Sequence, residues 1–257
     1  MSRFEPSMSN TTQSFSDQRK NRLFIILGFT FLTNAIIAEF IGAKIFSVES
    51  TLGIAPLQIT MGSSSYNLDM TAGVILWPFV FILTDVINEY FGKKGVQRLS
   101  YLAVIMLIYS FLMVRLAMSL EGASWWIEGS KTQGIEHMGK AFNAVFGQGL
   151  MIIIGSLVAF LIGQIVDALI FERIKRYTND KMIWLRATGS TIVSQFIDSY
   201  VVLVIAFYIG GNYSLSWVLQ VGTINYIYKL GMAIILLPLL YVIHNVIDKY
   251  LGKAHEN

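Results

Sequence analysis

The chain has 257 residues, 54% hydrophobic and only 14% charged, with a formal net charge of +3 and a mean hydropathy of +0.59. Soluble domains carry roughly 25% charged residues, so the composition excludes an ordinary soluble domain and indicates an integral membrane protein. The absence of cysteine excludes disulfides, thiolate metal sites, iron–sulfur clusters and cysteine nucleophiles.

Residues 1–20 are polar, with no apolar stretch, and are expected to form a disordered cytoplasmic tail rather than a signal peptide. Arg19, Lys20 and Arg22 precede a first span over Leu23–Ile45, which holds Asn34, Glu39 and Lys44. In the long loop 46–70, Leu57–Met61 alternates like one half of a hairpin. Span two covers Thr71–Phe91 and span three Leu99–Met118, with Arg115 near its outer end. In the loop 119–145, Trp125 and Trp126 suit an interfacial anchor, and Ile135, Met138, Phe142 and Val145 recur as on a short helix lying on the membrane. Span four is Phe146–Phe171, span five Ala187–Ile209 and span six Ile224–Ile247, followed by a cytoplasmic tail at 251–257.

Each span is close to the ~20 residues that a ~30 Å hydrocarbon core requires. Of 19 lysines and arginines, only Lys44, Arg115, Lys131, Lys140 and Lys229 fall outside the side that holds the N-terminus. The expected fold is therefore all-α, with six transmembrane helices in one domain (21–250) and both termini cytoplasmic.

Ile75–Lys94 is the most informative stretch. It is apolar enough to enter a bilayer, yet holds Asp85, Asn88 and Glu89, spaced three and four apart on one helical face. An ionised group at membrane depth costs roughly 2.5–3.5 kcal/mol on insertion scales, so such groups are candidates for function. A shift of 160 residues aligns Ile75–Lys93 with Ile235–Lys253. Ile75, Leu76, Pro78, Val86, Ile87, Tyr90, Gly92 and Lys93 recur, and Asp85 falls opposite Asn245. This is either a repeat or shared topology with shared membrane-end chemistry.

Span four pairs Gln164 with Asp167, and span five carries Thr191, Ser194, Gln195 and Asp198 as one polar stripe. At ~1.5 Å per residue, these groups and Asp85 reach similar depth. Asn34 lies near the middle of span one, and Lys229 nearer the outside. Arg115 and Arg186, at span ends, read as snorkelling or orienting cations. His244, alone inside a span, reads as no metal site. The candidate substrate-binding residues are Asn34, Asp85, Asn88, Glu89, Gln164, Asp167, Ser194, Gln195, Asp198 and Lys229, with no catalytic, cofactor or metal residues. An acid-rich, amide-lined site near Trp77, Phe81, Phe160, Phe196 and Tyr200 suits a flat donor-rich or cationic solute, such as a guanine-like base or a cationic vitamin.

At these residues the chain resembles the bacterial queuosine precursor transporters, also called the vitamin uptake transporter family. The resemblance rests most on Ile82-Leu-Thr-Asp-Val-Ile-Asn-Glu-Tyr-Phe-Gly-Lys-Lys94. Asn34 and Lys44, Gln164 and Asp167, Arg186 with Ser190, Ser194, Gln195 and Asp198, and Lys229 with Pro238 and Tyr241 also carry it. It implies six helices in the bacterial inner membrane and uptake of 7-deazaguanines such as preQ0 and preQ1 for tRNA modification. The loops 46–70 and 119–145 look larger than that family's. The partners it implies are the 7-deazaguanine base and the bilayer, with no nucleic acid; self-association is left open. An aspartate in the spans that exchanges its proton for the base would couple uptake to the proton gradient. The alternative is a substrate-binding membrane subunit energised by a separate ATPase module, since the chain has no Gly-x-x-x-x-Gly-Lys-Ser/Thr loop. An intramembrane aspartic protease is a third class, for which the Gly-rich dyad motifs are lacking.

Overall fold

The structure is a computed structural model and describes residues 8–61, 64–129, 131, 134–147, 149–179, 181–211 and 213–252. Helix α1 runs over Met8–Ile41. The tail expected over 1–20 is therefore helical from Met8; neither Gly nor Pro occurs between Met8 and Leu27 to stop the helix from extending outward. Arg19 Nη1 donates to Tyr250 O at 3.2 Å, tying this extension to the far end of the chain. Residues 1–7 and 253–257 lie outside the described residues.

The segment after α1 is folded. Strand β1 (Ile45–Ser47) pairs antiparallel with β4 (Asp69–Thr71), Phe46 opposite Met70. Between them come α2 (Val48–Leu52) and β2 (Ile59–Met61), which pairs with β3 (Ser64–Tyr66) in the hairpin that the Leu57–Met61 alternation suggests. Glu49 of α2 is buried and pins this segment: Leu68 N–H donates to its Oε1 at 2.8 Å and Ser47 Oγ to its Oε2 at 3.2 Å. The Leu68 bond holds the Glu49 carboxyl below its ordinary value.

A single turn of 3-10 helix, Ala72–Ile75, leads to α3, Trp77–Ser119. The expected second span thus starts as α-helix six residues later than Thr71, because strand pairing holds Thr71. At 43 residues, α3 would be about 65 Å long at 1.5 Å per residue, twice a bilayer core. It breaks at Gly92, whose φ of 66° and ψ of 179° are not helical. The expected second and third spans fall on either side of that break. After it come α4 (Ser124–Gly129), α5 (Met138–Phe146) and α6 (Leu150–Tyr177).

Helix α7 (Ile183–Leu203) continues as a π-helical stretch, Val204–Ile209. The expected sixth span, Ile224–Ile247, is not one helix: α8 (Leu215–Ile235) ends and α9 (Leu237–Leu251) begins across Leu236. Pro238 is the cause. It has no N–H to give and its ring clashes with the carbonyl four residues back, so it is accommodated only in the first turn of a new helix.

Among the described residues, five helical stretches are long and apolar enough to cross a membrane: Asp17–Ile41, Trp77–Ser119, the α5–α6 stretch within Met138–Tyr177, Ile183–Ile209 and Leu215–Ile235. The core joins Leu27 and Phe31 of α1, Val86 and Leu99 of α3, Phe171 of α6 and Leu240 of α9. Outward faces are apolar too, as at Phe29, Ile105 and Ile227, which fits a protein whose solvent is lipid.

Candidate functional site

The first half of α3 turns its polar face into the bundle. Asp85 is 5% exposed and Asn88 3%, although both sit in an apolar helix. Helices α6 and α7, which pack extensively on each other, supply facing polar stripes. Thr84 Oγ1 donates to Gln164 Oε1 at 2.7 Å, Ser194 Oγ to Asp167 Oδ1 at 2.9 Å, and Asn88 Nδ2 to the Ala168 carbonyl at 3.1 Å. A buried polar group without a partner costs about 1–3 kcal/mol, and several remain here. Asp85 Oδ1, Gln164 Nε2, Asp167 Oδ2 and both side-chain polar atoms of Gln195 have no hydrogen-bond partner among the described residues. These are open hydrogen-bonding valences that a ligand or proton can fill.

A cavity of about 580 Å3, counting its open mouth, lies where two helices begin. Trp77, Pro78, Phe81 and Asp85 line it from the start of α3, and Leu236, Leu237 and Leu240 from the start of α9. Thr188, Thr191 and Gln195 face it from α7, and Lys229 from α8. Asp85 is its one carboxylate and Lys229 its one cation among the described lining residues. The Trp77 and Phe81 rings lie 6.4 Å apart between centroids, and Trp77 also meets Phe160 at 5.5 Å. One wall is thus aromatic, the other amide and hydroxyl.

A second cavity, of about 780 Å3 with its open space, lies toward the Gly92 break and is lined by Asn88, Glu89, Gly92, Glu172, Lys175 and Arg176. Glu89 Oε2 meets Arg186 Nη2 at 2.9 Å and Lys175 Nζ at 3.1 Å, so α3, α6 and α7 are joined below Asp85. On the far side Lys229 Nζ meets Asp198 Oδ2 at 2.5 Å. Glu39 accepts from Ser156 Oγ near Asp198. Polar groups therefore stack in three layers, with the first cavity at the middle one.

The sequence candidates divide accordingly. Asp85, Gln195 and Lys229 line the first cavity. Gln164, Asp167 and Ser194 form the buried network behind it, and Asn88 and Glu89 line the second cavity. Asn34 is not brought to either: its Nδ2 donates to Thr30 O on its own helix at 2.8 Å. Asp198 is ion-paired rather than an unneutralised acid, because Lys229, on a different helix, reaches it.

Two residues are corrected. Arg186 is 3% exposed and holds Glu89, so it does not snorkel. His244 has close partners: Tyr90 Oη lies 3.1 Å from its Nδ1 and donates to Asp248 Oδ1 at 2.8 Å. Glu39, in the first span, is buried among the helices. Sequence reasoning missed Thr188; the signal available was its three-residue spacing from Thr191 on the face of Gln195. Among the described residues no group of three or more His, Cys, Asp or Glu is placed to hold a metal ion.

A family profile described as "Putative vitamin uptake transporter" matches residues 71–243. The chain is 28% identical over 244 residues to a "Probable queuosine precursor transporter" of Haemophilus influenzae, covering 93% of this chain and 94% of that protein. It is 29% identical over 194 residues to a protein of the same name from Bacillus subtilis, covering 75% of this chain and 80% of that one. It is 26% identical over 189 residues to the "Queuosine precursor transporter" of Escherichia coli, covering 72% and 78%. No solved structure matches.

Proposed function

Since the chain belongs to the vitamin uptake transporter family, we propose that it imports 7-deazaguanine queuosine precursors, such as preQ0 and preQ1, across the bacterial inner membrane. The observation that carries this reading is the pairing, in one cavity, of an unpartnered Asp85 oxygen with an unpartnered Gln195 amide below an aromatic wall. A guanine-like edge presents adjacent N–H donors to a carboxylate and a carbonyl acceptor to an amide N–H. The ring would stack on Trp77 and Phe81. Lys229 stands ready for a second acceptor on the ligand, with Asp198 holding its charge in place. The homologues' names support the same class of substrate.

In this reading six spans cross the membrane with both termini in the cytoplasm. The Glu89–Arg186–Lys175 layer closes the inner side while the cavity fills from outside, and α5 lies on the outer membrane surface. The carrier works alone, driven by the proton gradient. Reporter fusions at residue 96 and at the C-terminus should report cytoplasm, and fusions at 60 and 130 the outside; a periplasmic C-terminus would sink the topology.

The decisive experiment is uptake of labelled preQ0, preQ1 and queuine by a strain unable to make them and lacking coupling ATPases. Accumulation dependent on this chain supports the proposal. Binding without uptake until an ATPase module is restored favours the binding-subunit alternative, and a response only to an unrelated vitamin overturns the substrate.

A further inference from the structure

Charge does not balance at the level of Asp85. Its electrostatic neighbours are Asp167 on α6, Arg186 on α7 and Glu89 one turn on along α3. Lys175 of α6 joins through Glu89, and beyond lie His244 and Asp248 of α9, bridged by Tyr90. Among the described residues, Asp85, Asp167 and Glu89 are three carboxylates against two cations, Arg186 and Lys175, both ion-paired with Glu89 one turn below Asp85, while Lys229, which shares the cavity of Asp85, is held by Asp198. Asp85 and Asp167 are buried, and each has an oxygen without a hydrogen-bond partner.

Gln164 gives a second, independent indication. It is 0% exposed; its Oε1 is taken by Thr84, the residue before Asp85, and it lies on the Asp167 face of α6. Its Nε2, a donor, has no acceptor among the described residues. The buried contact between α3 and α6 thus holds polar groups with free valence. Two carboxylates that sense each other in a low-dielectric interior do not both ionise readily, and titrate as a pair.

We propose that Asp85 and Asp167 share one proton in the empty carrier while its cavity opens outward, that ligand binding moves it wholly onto Asp167, and that the proton follows the base into the cytoplasm before the empty carrier returns, so that base and proton travel together. The ligand half of this inference rests on the reading above. Asp85 lines the cavity and Asp167 does not, which sets the division of labour. When the ligand's N–H donors take the Asp85 oxygens, the proton leaves Asp85 as its O–H bond breaks and forms a new O–H bond on Asp167 Oδ2. Ser194 keeps donating to Oδ1. No electrons are exchanged. Asp167 is a positioning and proton-holding residue, and the exchange of proton for base expected from a lone aspartate becomes co-transport.

The test has a part that needs no ligand. Infrared spectra of the empty protein at neutral pH should show the carbonyl stretch of a buried protonated carboxylic acid. That band should vanish in Asp167→Asn and in Asp85→Asn, because either change restores the two-against-two balance, and should persist in Asp69→Asn on exposed β4. Absence of the band in the wild type, or its survival in both inner variants, overturns the proposal. In proteoliposomes with preQ0, Asp167→Asn should bind within about threefold of wild type, a difference of well under 1 kcal/mol, and still exchange ligand. It should lose proton influx and accumulation driven by a pH gradient. Gradient-driven accumulation intact in Asp167→Asn overturns the coupling. A wild type that binds none of the bases refutes the substrate, while the infrared result stands by itself.

Discussion

Trp77–Phe91 and Leu237–Leu251 are two helices with the same frame and different neighbours. Each starts one residue before a proline, after a turn at a leucine, and each ends in a glycine with positive φ, 66° at Gly92 and 71° at Gly252. The starts of both line the same cavity. This equivalence of backbone supports reading the recurrence at 160 residues as a repeat. Their polar faces diverge. Asp85 is buried at the cavity whereas its counterpart Asn245 is exposed; Tyr90 bonds Asp248, whereas Tyr250 is exposed and offers its backbone carbonyl to Arg19. What surrounds a helix, more than how it is built, decides which of two equivalent positions is buried against a cavity.

Substitution at the 85/245 pair should break the equivalence most sharply. Asp85→Asn exchanges an acceptor oxygen for a donor facing the ligand's N–H edge. Loss of one charge-assisted bond costs roughly 1.5–3 kcal/mol, about ten- to a hundredfold in affinity. Asn245→Asp should leave affinity unchanged. Equilibrium binding of preQ0 to folded, purified variants measures both; near-wild-type affinity in Asp85→Asn removes it from the site.

The two terminal glycines should differ next. A methyl group added at Gly92 would meet nothing within 4 Å, and one at Gly252 would meet only the flexible end of Arg19, at 4.0 Å, so only backbone strain counts. Gly92, with ψ of 179°, occupies a region open essentially to glycine, at about 1–3 kcal/mol for other residues. Gly252, with ψ of 23°, is a left-handed cap, where asparagine is also accepted. Thermal unfolding should therefore show a larger loss for Gly92→Ala than for Gly252→Ala, and little for Gly252→Asn. Equal losses would mean that the Gly92 bend is not a fixed feature of the fold.

The tyrosine pair offers a finer contrast. Tyr90→Phe removes the bond to Asp248 and should cost about 1 kcal/mol in thermal or denaturant unfolding. Tyr250→Phe should be silent.

The smallest effect lies in how the two helices are entered, one from the strand-bearing segment pinned by Glu49 and the other from α8. Because the Leu68 N–H lowers the folded carboxyl value, its contribution is present above the ordinary glutamate value of about 4.3 and is lost as pH falls through the folded one. Hydrogen exchange at the Leu68 amide should accelerate on acidification below that ordinary value, and Glu49→Gln should flatten the response. A pH-independent excess would assign Leu68 protection to strand pairing alone.

Much of the candidate site was legible. Asp85, Gln164, Asp167 and Gln195 stood out because each is costly in an apolar helix, and three- and four-residue spacing fixed which of them share a face. The partners were not legible. Lys229 lies 31 residues from Asp198, and Arg186 nearly a hundred from Glu89; nothing local couples such positions. Asn34 misled because an amide in a span can satisfy itself on its own helix, as it does at Thr30. The boundary near residue 20 misled because polarity was read as disorder, although helix propensity permits a polar extension.

By itself the sequence determined that the chain belongs in a membrane, where its apolar runs lie, and which costly polar groups share a helical face. Those properties reside in single residues and short spacings, through hydropathy and helical period; the restarts at Pro78 and Pro238, inside spans expected to be continuous, came only with the structure. Only the tertiary structure decided that Asp198 is neutralised and Asp85 is left with an open valence, that Arg186 is a buried tie, and that the starts of two half-helices frame one cavity. Burial and charge compensation depend on which helices meet, and distance in space, not along the chain, sets both.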